Sequence, residues 1–241
     1  MYDFDTSTKV FSHPTITLYR PKIIQCDSDE MLSIGLANAI IEKTIEISAD
    51  CGTARLALSN GKTLKETYKV LSKNHLFPPE NTEIYATHEI FNTSKVKEDI
   101  TKSLTKEKLS EARYYQFINT KLSFAKALSH YNEVLDQFED DEGFDICVLE
   151  IDKNGQFAGI IVAGNGLDGT SDMAVQNLIN NQKVITISVP TILKSKHIYL
   201  ILHDEDDTLE EILQGTKPAK DFPIKILLAH PDVNIFYYLA A

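Results

Sequence analysis

Short apolar runs alternate along this chain with stretches whose apolar residues recur at helical spacing, and that alternation constrains the fold more than any other feature. Leu56–Leu58, Phe144–Leu149, Val184–Val189, Ile198–Leu202, Ile224–Leu228 and Ile235–Tyr238 read as strands, as do Thr15–Tyr19 and a short segment near Glu83–Ala86. Between them, Met31, Leu32, Leu36, Ile40, Ile41 and Ile45 lie on one helical face, behind an Asp27/Glu30 capping box. Phe124, Leu128, Tyr131, Leu135 and Phe138 form a second stripe, which reads as core, and residues 208–213 a further short helix. Residues 95–113 are charged and helical in pattern, a solvated face. Strands separated by helices predict an α/β fold: a mostly parallel sheet with helices on both faces, plus a few additional strands. Residues 1–14 read as an irregular arm and 15–241 as a single domain. No repeat or linker divides the chain, and Pro190 and Pro223 mark turns.

One joint between strand and helix carries chemistry. Leu56-Ala-Leu58 ends in the small polar loop Ser59-Asn60-Gly61-Lys62-Thr63, and a helix signal with Leu64, Tyr68 and Leu71 on one face follows. Thr63 and Glu66 fit a capping box. A strand that turns through glycine into a helix start aims several backbone N–H groups at one spot, where the helix dipole adds partial positive charge. Lys62 adds a full charge, so the spot suits a phosphate. Taken alone, such a joint is more often a plain connection.

Bulk properties exclude several classes. A net charge of −11 over 241 residues argues against a nucleic-acid or anionic-membrane surface, which needs a basic face. No apolar run approaches the roughly 20 residues that span a bilayer, and the Met-Tyr-Asp-Phe-Asp start lacks the sections of a secretory signal. A cytoplasmic protein is the expectation. Cys26, Cys51 and Cys147 are widely spaced and odd in number, so they predict buried reduced thiols rather than disulfides or a CxxC metal site. The histidines lack metal-ligand spacing. His197 and His203 fall on one face of a predicted strand, where a structural role is expected.

Several segments, in order, resemble the 6-phosphogluconolactonase family within the glucosamine-6-phosphate isomerase-like superfamily. Leu56-Ala-Leu-Ser-Asn-Gly-Lys-Thr63 is similar to the phosphate loop LALSGGST, and Glu83-Ile-Tyr-Ala-Thr-His-Glu-Ile90 stands where the family has a strand ending in Asp-Glu-Arg. Gly143-Phe-Asp-Ile-Cys-Val-Leu-Glu-Ile-Asp-Lys-Asn-Gly-Gln156 resembles FDLVLLGxGxDGH. Val184 through Leu193 resembles RITLTLPVL, and the tail from Pro223 resembles the closing strands. The resemblance implies a Rossmann-like sheet and a pocket for a phosphorylated sugar or sugar lactone. It also implies hydrolysis of 6-phosphoglucono-δ-lactone in the pentose phosphate route, by water activated at the DGH histidine, with neither metal nor organic cofactor.

The chain departs from that pattern where the chemistry lies. Gln156 stands at the histidine position, and glutamine orients water without taking its proton at neutral pH. Asn154 replaces the preceding aspartate. Glu150 and Asp152 replace two glycines, bringing carboxylates that repel a phosphate or developing oxyanion. His88-Glu89-Ile90 deletes the arginine, and Asn60 and Lys62 replace glycine and serine in the loop; Lys62 compensates electrostatically for the arginine. The lysine expected after the late strand is absent, since that region reads His203-Asp-Glu-Asp-Asp207, an acidic loop or helix start.

Two registers are open for the DGH segment, because Asn154-Gly155 is also a hairpin-turn signal leading into Ala158–Ala163 and then Asp168-Gly169-Thr170. The first register is preferred, since it keeps Phe144-Asp145 in place; neither recovers the histidine. The expected phosphate contacts are Ser59, Asn60, Gly61, Lys62 and Thr63. In any surviving hydrolysis Gln156 positions water while Glu89 or His88 transfers the proton. The alternative is a non-catalytic member that binds a sugar phosphate or a partner protein. Oligomeric state is open.

Overall fold

The computed structural model describes residues 18–93, 98, 100, 102, 112–114, 121–138, 142–167, 171–204 and 207–239. Seven strands build the main sheet: β1 (Lys22–Gln25), β2 (Ala54–Leu58), β3 (Thr82–Ala86), β5 (Arg113–Tyr114), β6 (Ile146–Glu150), β9 (His197–Asp204) and β10 (Val233–Leu239). Their order is β1-β10-β9-β6-β2-β3-β5, and every neighbouring pair is parallel. A small antiparallel sheet, ordered β4-β8-β7, joins β4 (His88–Ile90), β8 (Gln182–Ile187) and β7 (Ala174–Ile179). The expected mostly parallel sheet with extra strands is therefore present.

Strand periodicity explains the layering. Leu56 and Leu58, Ile84 and Ala86, and Ile146 and Val148 enter one core, whereas Ala57, Tyr85, Cys147 and Leu149 enter the other. The first core is covered by α1 (Asp29–Cys51) and α2 (Lys62–Lys73), through Leu32, Leu36, Ile40, Leu64, Tyr68 and Leu71. The second is covered by α3 (Phe124–Leu135), the single turn α4 (Val189–Leu193), α5 (Thr208–Gln214) and the small sheet. Strands buried on both faces read as continuous apolar runs, which is why they were legible.

Several local expectations are corrected. Strand β1 begins at Lys22; Leu18 and Tyr19 are not in a strand, and residues 15–17, like the arm 1–14, lie outside the described residues. The segment from Pro223 to Ala229 is a 3-10 helix, not a strand: Pro223 occupies its first turn, and Ile224 and Leu227 point into the core together. Ala158–Ala163 forms turns rather than a second hairpin strand. Ser28, not Asp27, caps α1, accepting from the Met31 amide at 3.2 Å. Cys147 is buried as expected, but Cys26 is half-buried and Cys51 exposed. Most of 95–113 lies outside the described residues. Among those described, no helix is long and apolar enough to cross a membrane.

Strand order reverses between β2 and β6. From β2 the chain runs outward to β3, then returns to β6 on the other side of β2 and continues to β9. In open α/β sheets the crevice beyond the C-terminal ends of two such strands is where ligands bind. Here those ends carry Ser59 and Glu150.

Candidate functional site

Strand β2 delivers Ser59 and Asn60 to that crevice, and α2 begins at Lys62 behind Gly61. The Thr63–Glu66 capping box does not form: α2 has no side-chain cap of its own, and Glu66 pairs with Lys69 at 2.6 Å. The orphan amides go to a distant carboxylate instead. Lys62 N–H donates to Glu150 Oε1 at 3.2 Å and Leu64 N–H to Oε2 at 3.1 Å, and the Thr63 amide adds to the same carboxylate. The bonds span 88 and 86 positions of chain. The expectation that these amides face an open anion site is thereby corrected, because Glu150 takes them.

Gly61 is required by this contact, not by its backbone angles, since its φ of 171° is ordinary extended geometry. A Cβ there would lie 1.9 Å from Glu150 Oε2. Ser59 is buried and used internally: its hydroxyl accepts from the Glu150 amide at 3.2 Å and its carbonyl from the Tyr68 hydroxyl at 2.7 Å. Burial raises the Glu150 carboxyl above the usual carboxylate range. The amide bonds of Leu64, Lys62 and Thr63, and the nearby His203, offset only part of that cost.

A cavity of about 670 Å³ opens beside this corner, between the start of α1, the outer face of α2 and the ends of β6 and β9. Lys62, Thr63 and Glu150 line it, with Lys69, Lys73 and Lys153 supplying further positive charge. Asp29, Glu30, Glu66 and Asp152 line it too, so with Glu150 its carboxylates offset the lysines and its charge is mixed. His203 at its rim lies 3.1 Å from Asp29, while His197 pairs with Asp232 at 2.5 Å; each histidine has its own carboxylate. Among the described residues no group of three or more His, Cys, Asp or Glu could hold a metal ion.

The residues expected to move protons sit elsewhere. Gln156, Glu89 and His88 are not among the residues lining the cavity. Asp152 Oδ1 accepts from the Asn154 and Gln156 amides, both at 2.9 Å, closing a tight turn with Gly155 at φ 69°. The next turn packs on β4: a Cβ on Gly159 would lie 3.5 Å from the His88 Cβ, and Thr186 beside His88 donates to the Ala158 carbonyl at 2.5 Å. It is therefore the turn at Ala158-Gly159, after Gln156, that neighbours His88. The His88 ring meets the Thr87 hydroxyl at 3.1 Å, and burial lowers its pKa to about 4. Glu89 points the opposite way and is fully buried, close enough to Tyr131 to affect its hydroxyl. The alternative register, Asp168-Gly169-Thr170, lies outside the described residues.

Sequence reasoning identified Glu150 as a repulsive charge and missed it as the partner of the loop amides. The signal was its place at a family glycine, opposite a glycine whose clearance it fills.

A family-level comparison matches residues 27–235 to the glucosamine-6-phosphate isomerases/6-phosphogluconolactonase family. A search of curated proteins gives no match. Among solved structures, a 6-phosphogluconolactonase from Shewanella baltica superposes with TM-score 0.80 at 19% identity, covering 93% of this chain and 99% of that one. The 6-phosphogluconolactonase of Trypanosoma brucei gives TM-score 0.79 at 14% identity over 91% and 97% of the two chains. A monomeric glucosamine-6-phosphate deaminase of the NagB superfamily gives 0.76 at 19% over 90% and 97%. At these identities the superpositions speak to the fold. The family match covers most of the chain, and this protein belongs to the glucosamine-6-phosphate isomerase/6-phosphogluconolactonase family.

Proposed function

We propose that this protein is a 6-phosphogluconolactonase-like member that binds a phosphorylated sugar acid or lactone in the cavity beside Lys62 and Thr63, with lactone hydrolysis slow or lost. The observation that carries the reading is that cavity. It opens at the β2/β6 crevice, has a volume in the range of small-molecule sites, and presents Lys62, Lys73 and Lys153, with Lys69 held by Glu66, among the carboxylates of Asp29, Glu30, Glu150 and Asp152. Ammonium groups there attract a phosphate even while the loop amides are engaged. Asn60 and Gly61 shape the loop, and Ser59 holds it to β6.

The hydrolytic half is weak on chemical grounds. Gln156 presents a carboxamide where the family places its base, and such a loss costs on the order of 100- to 10,000-fold in rate. His88, with a pKa of about 4, is neutral at pH 7 but a poor proton acceptor for water. Glu89 is sealed in the core. No nucleic-acid surface, membrane anchor or cofactor enters this reading, and a cytoplasmic setting is consistent with it.

Thermal-shift titrations with 6-phosphogluconate, glucosamine 6-phosphate and inorganic phosphate test binding, and acid release from 6-phosphoglucono-δ-lactone tests turnover. Stabilisation by 6-phosphogluconate that Lys62→Ala abolishes, with acid release near the spontaneous rate, is expected. Gln156→His then raises turnover if one group accounts for the loss. Absence of any stabilisation by the three ligands would falsify the binding claim, and rapid lactone-dependent acid release would overturn the hydrolytic one.

A further inference from the structure

We propose that Glu150 is a resident anion that competes with the ligand's phosphate for the amides at the start of α2, and so determines which ligands the site accepts. The inference rests on the proposed sugar-phosphate reading and deepens it.

The geometry is that of a bound anion supplied by the chain itself. One carboxylate takes the Lys62 amide on Oε1 and the Leu64 amide on Oε2, and it sits against a residue with no side chain. Helix starts are ordinarily capped by a residue at the helix itself; this one is capped from the end of β6, across the crevice where the strand order reverses. The carboxylate also lines the cavity, so a ligand entering there meets it directly. Its desolvation is only partly offset by the amides, so the contact is not a strong anchor.

Two consequences follow for selectivity. A phosphorylated ligand reaches the amides only by moving Glu150 aside, because two anions cannot share those donors. A ligand without a phosphate can enter this cavity of mixed charge with Glu150 in place. Glu150 thus lowers affinity for free phosphate and for small phosphate esters, and a ligand must make further contacts to displace it.

Calorimetric titration of inorganic phosphate and of 6-phosphogluconate into the full chain tests this, using the unaltered protein, Glu150→Gly, Glu150→Gln and Lys62→Ala. Glu150→Gly vacates the amides, and phosphate affinity is expected to rise about tenfold or more, a change within the range of one charge-assisted contact. Glu150→Gln removes the charge while keeping the shape, and is expected to fall between the other two. It also decides the matter should the glycine variant fail to fold, as read from far-ultraviolet circular dichroism. Amide NMR shifts of Lys62 and Leu64 on adding phosphate, larger in the Glu150 variants, separate site occupancy from a general loosening of the chain. Equal affinities in the unaltered protein and both Glu150 variants, with binding lost in Lys62→Ala, would overturn the inference and leave the sugar-phosphate reading standing. No binding by any of the four proteins would overturn both.

Discussion

The two helices that cover one face of the sheet begin in opposite ways. Helix α1 is capped by the residue next to it, Ser28, whose hydroxyl takes the Met31 amide. Helix α2 has no local cap, and its first amides are taken by Glu150 from another strand. The first arrangement is a stability device complete within a few residues, even though Asp29 and Glu30 of the same turn line the cavity. The second lies at the sheet's reversal point, lines a cavity and leaves its carboxylate under-compensated. A helix start whose capping depends on distant chain is one whose amides a ligand can claim.

The largest effect expected from breaking this contrast is at Gly61. Gly61→Ala drives a methyl group into the Glu150 carboxylate, forcing that flexible side chain off the amides, and should cost about 1–2 kcal/mol in urea unfolding. In the double variant with Glu150→Gly most of that cost should disappear, since the two positions are in contact. Ser28→Ala should cost on the order of 1 kcal/mol in the same unfolding measurement, as befits a local cap. Gly35 gives the opposite sign: within α1 an added Cβ meets only ordinary contacts, at 3.8 Å from Cys26 and 3.9 Å from Phe236. Gly35→Ala should therefore stabilise by about 0.5–1 kcal/mol.

The same contrast can be read in pH. Burial raises the folded pKa of Glu150 above its unfolded value, so its contribution is fully present below the unfolded pKa and lost as pH rises through the folded one. Unfolding free energies from acid to neutral pH should show that decline, and Glu150→Gln should remove it. His88 acts in the other direction: its pKa of about 4 against an ordinary 6.5 means stability falls as pH drops from about 6.5 to about 4. Comparing Glu150→Gln with the unaltered protein cancels the His88 contribution.

Much of the architecture was readable in the residues because buried parallel strands leave near-continuous apolar runs, as at Phe144–Leu149 and Ile198–Leu202. Strand β7 escaped notice because Gln176 and Asn177 interrupt its apolar residues, with Asn177 turned inward to bond the Gly159 carbonyl at 2.8 Å. Ile224–Leu228 misled in the other direction, since an apolar run after a proline also suits a 3-10 turn. At the candidate site, residue types at Ser59–Thr63 signal the turn from β2 into α2, which the structure shows. What they could not show was the long-range pairing: Glu150 stands 86 positions from Leu64, and nothing local to the loop signals that its amides are already engaged. Glu89 was placed in the proton-transfer role by motif position alone, whereas strand alternation turns it into the core.

A crystal structure of the full chain with 6-phosphogluconate would reach the heart of the matter. The phosphate is expected within hydrogen-bond distance of the Lys62 and Leu64 amides, with the Glu150 side chain turned away from Gly61. A ligand seated elsewhere, or bound in the cavity while Glu150 still holds both amides, would contradict the displacement of one anion by the other.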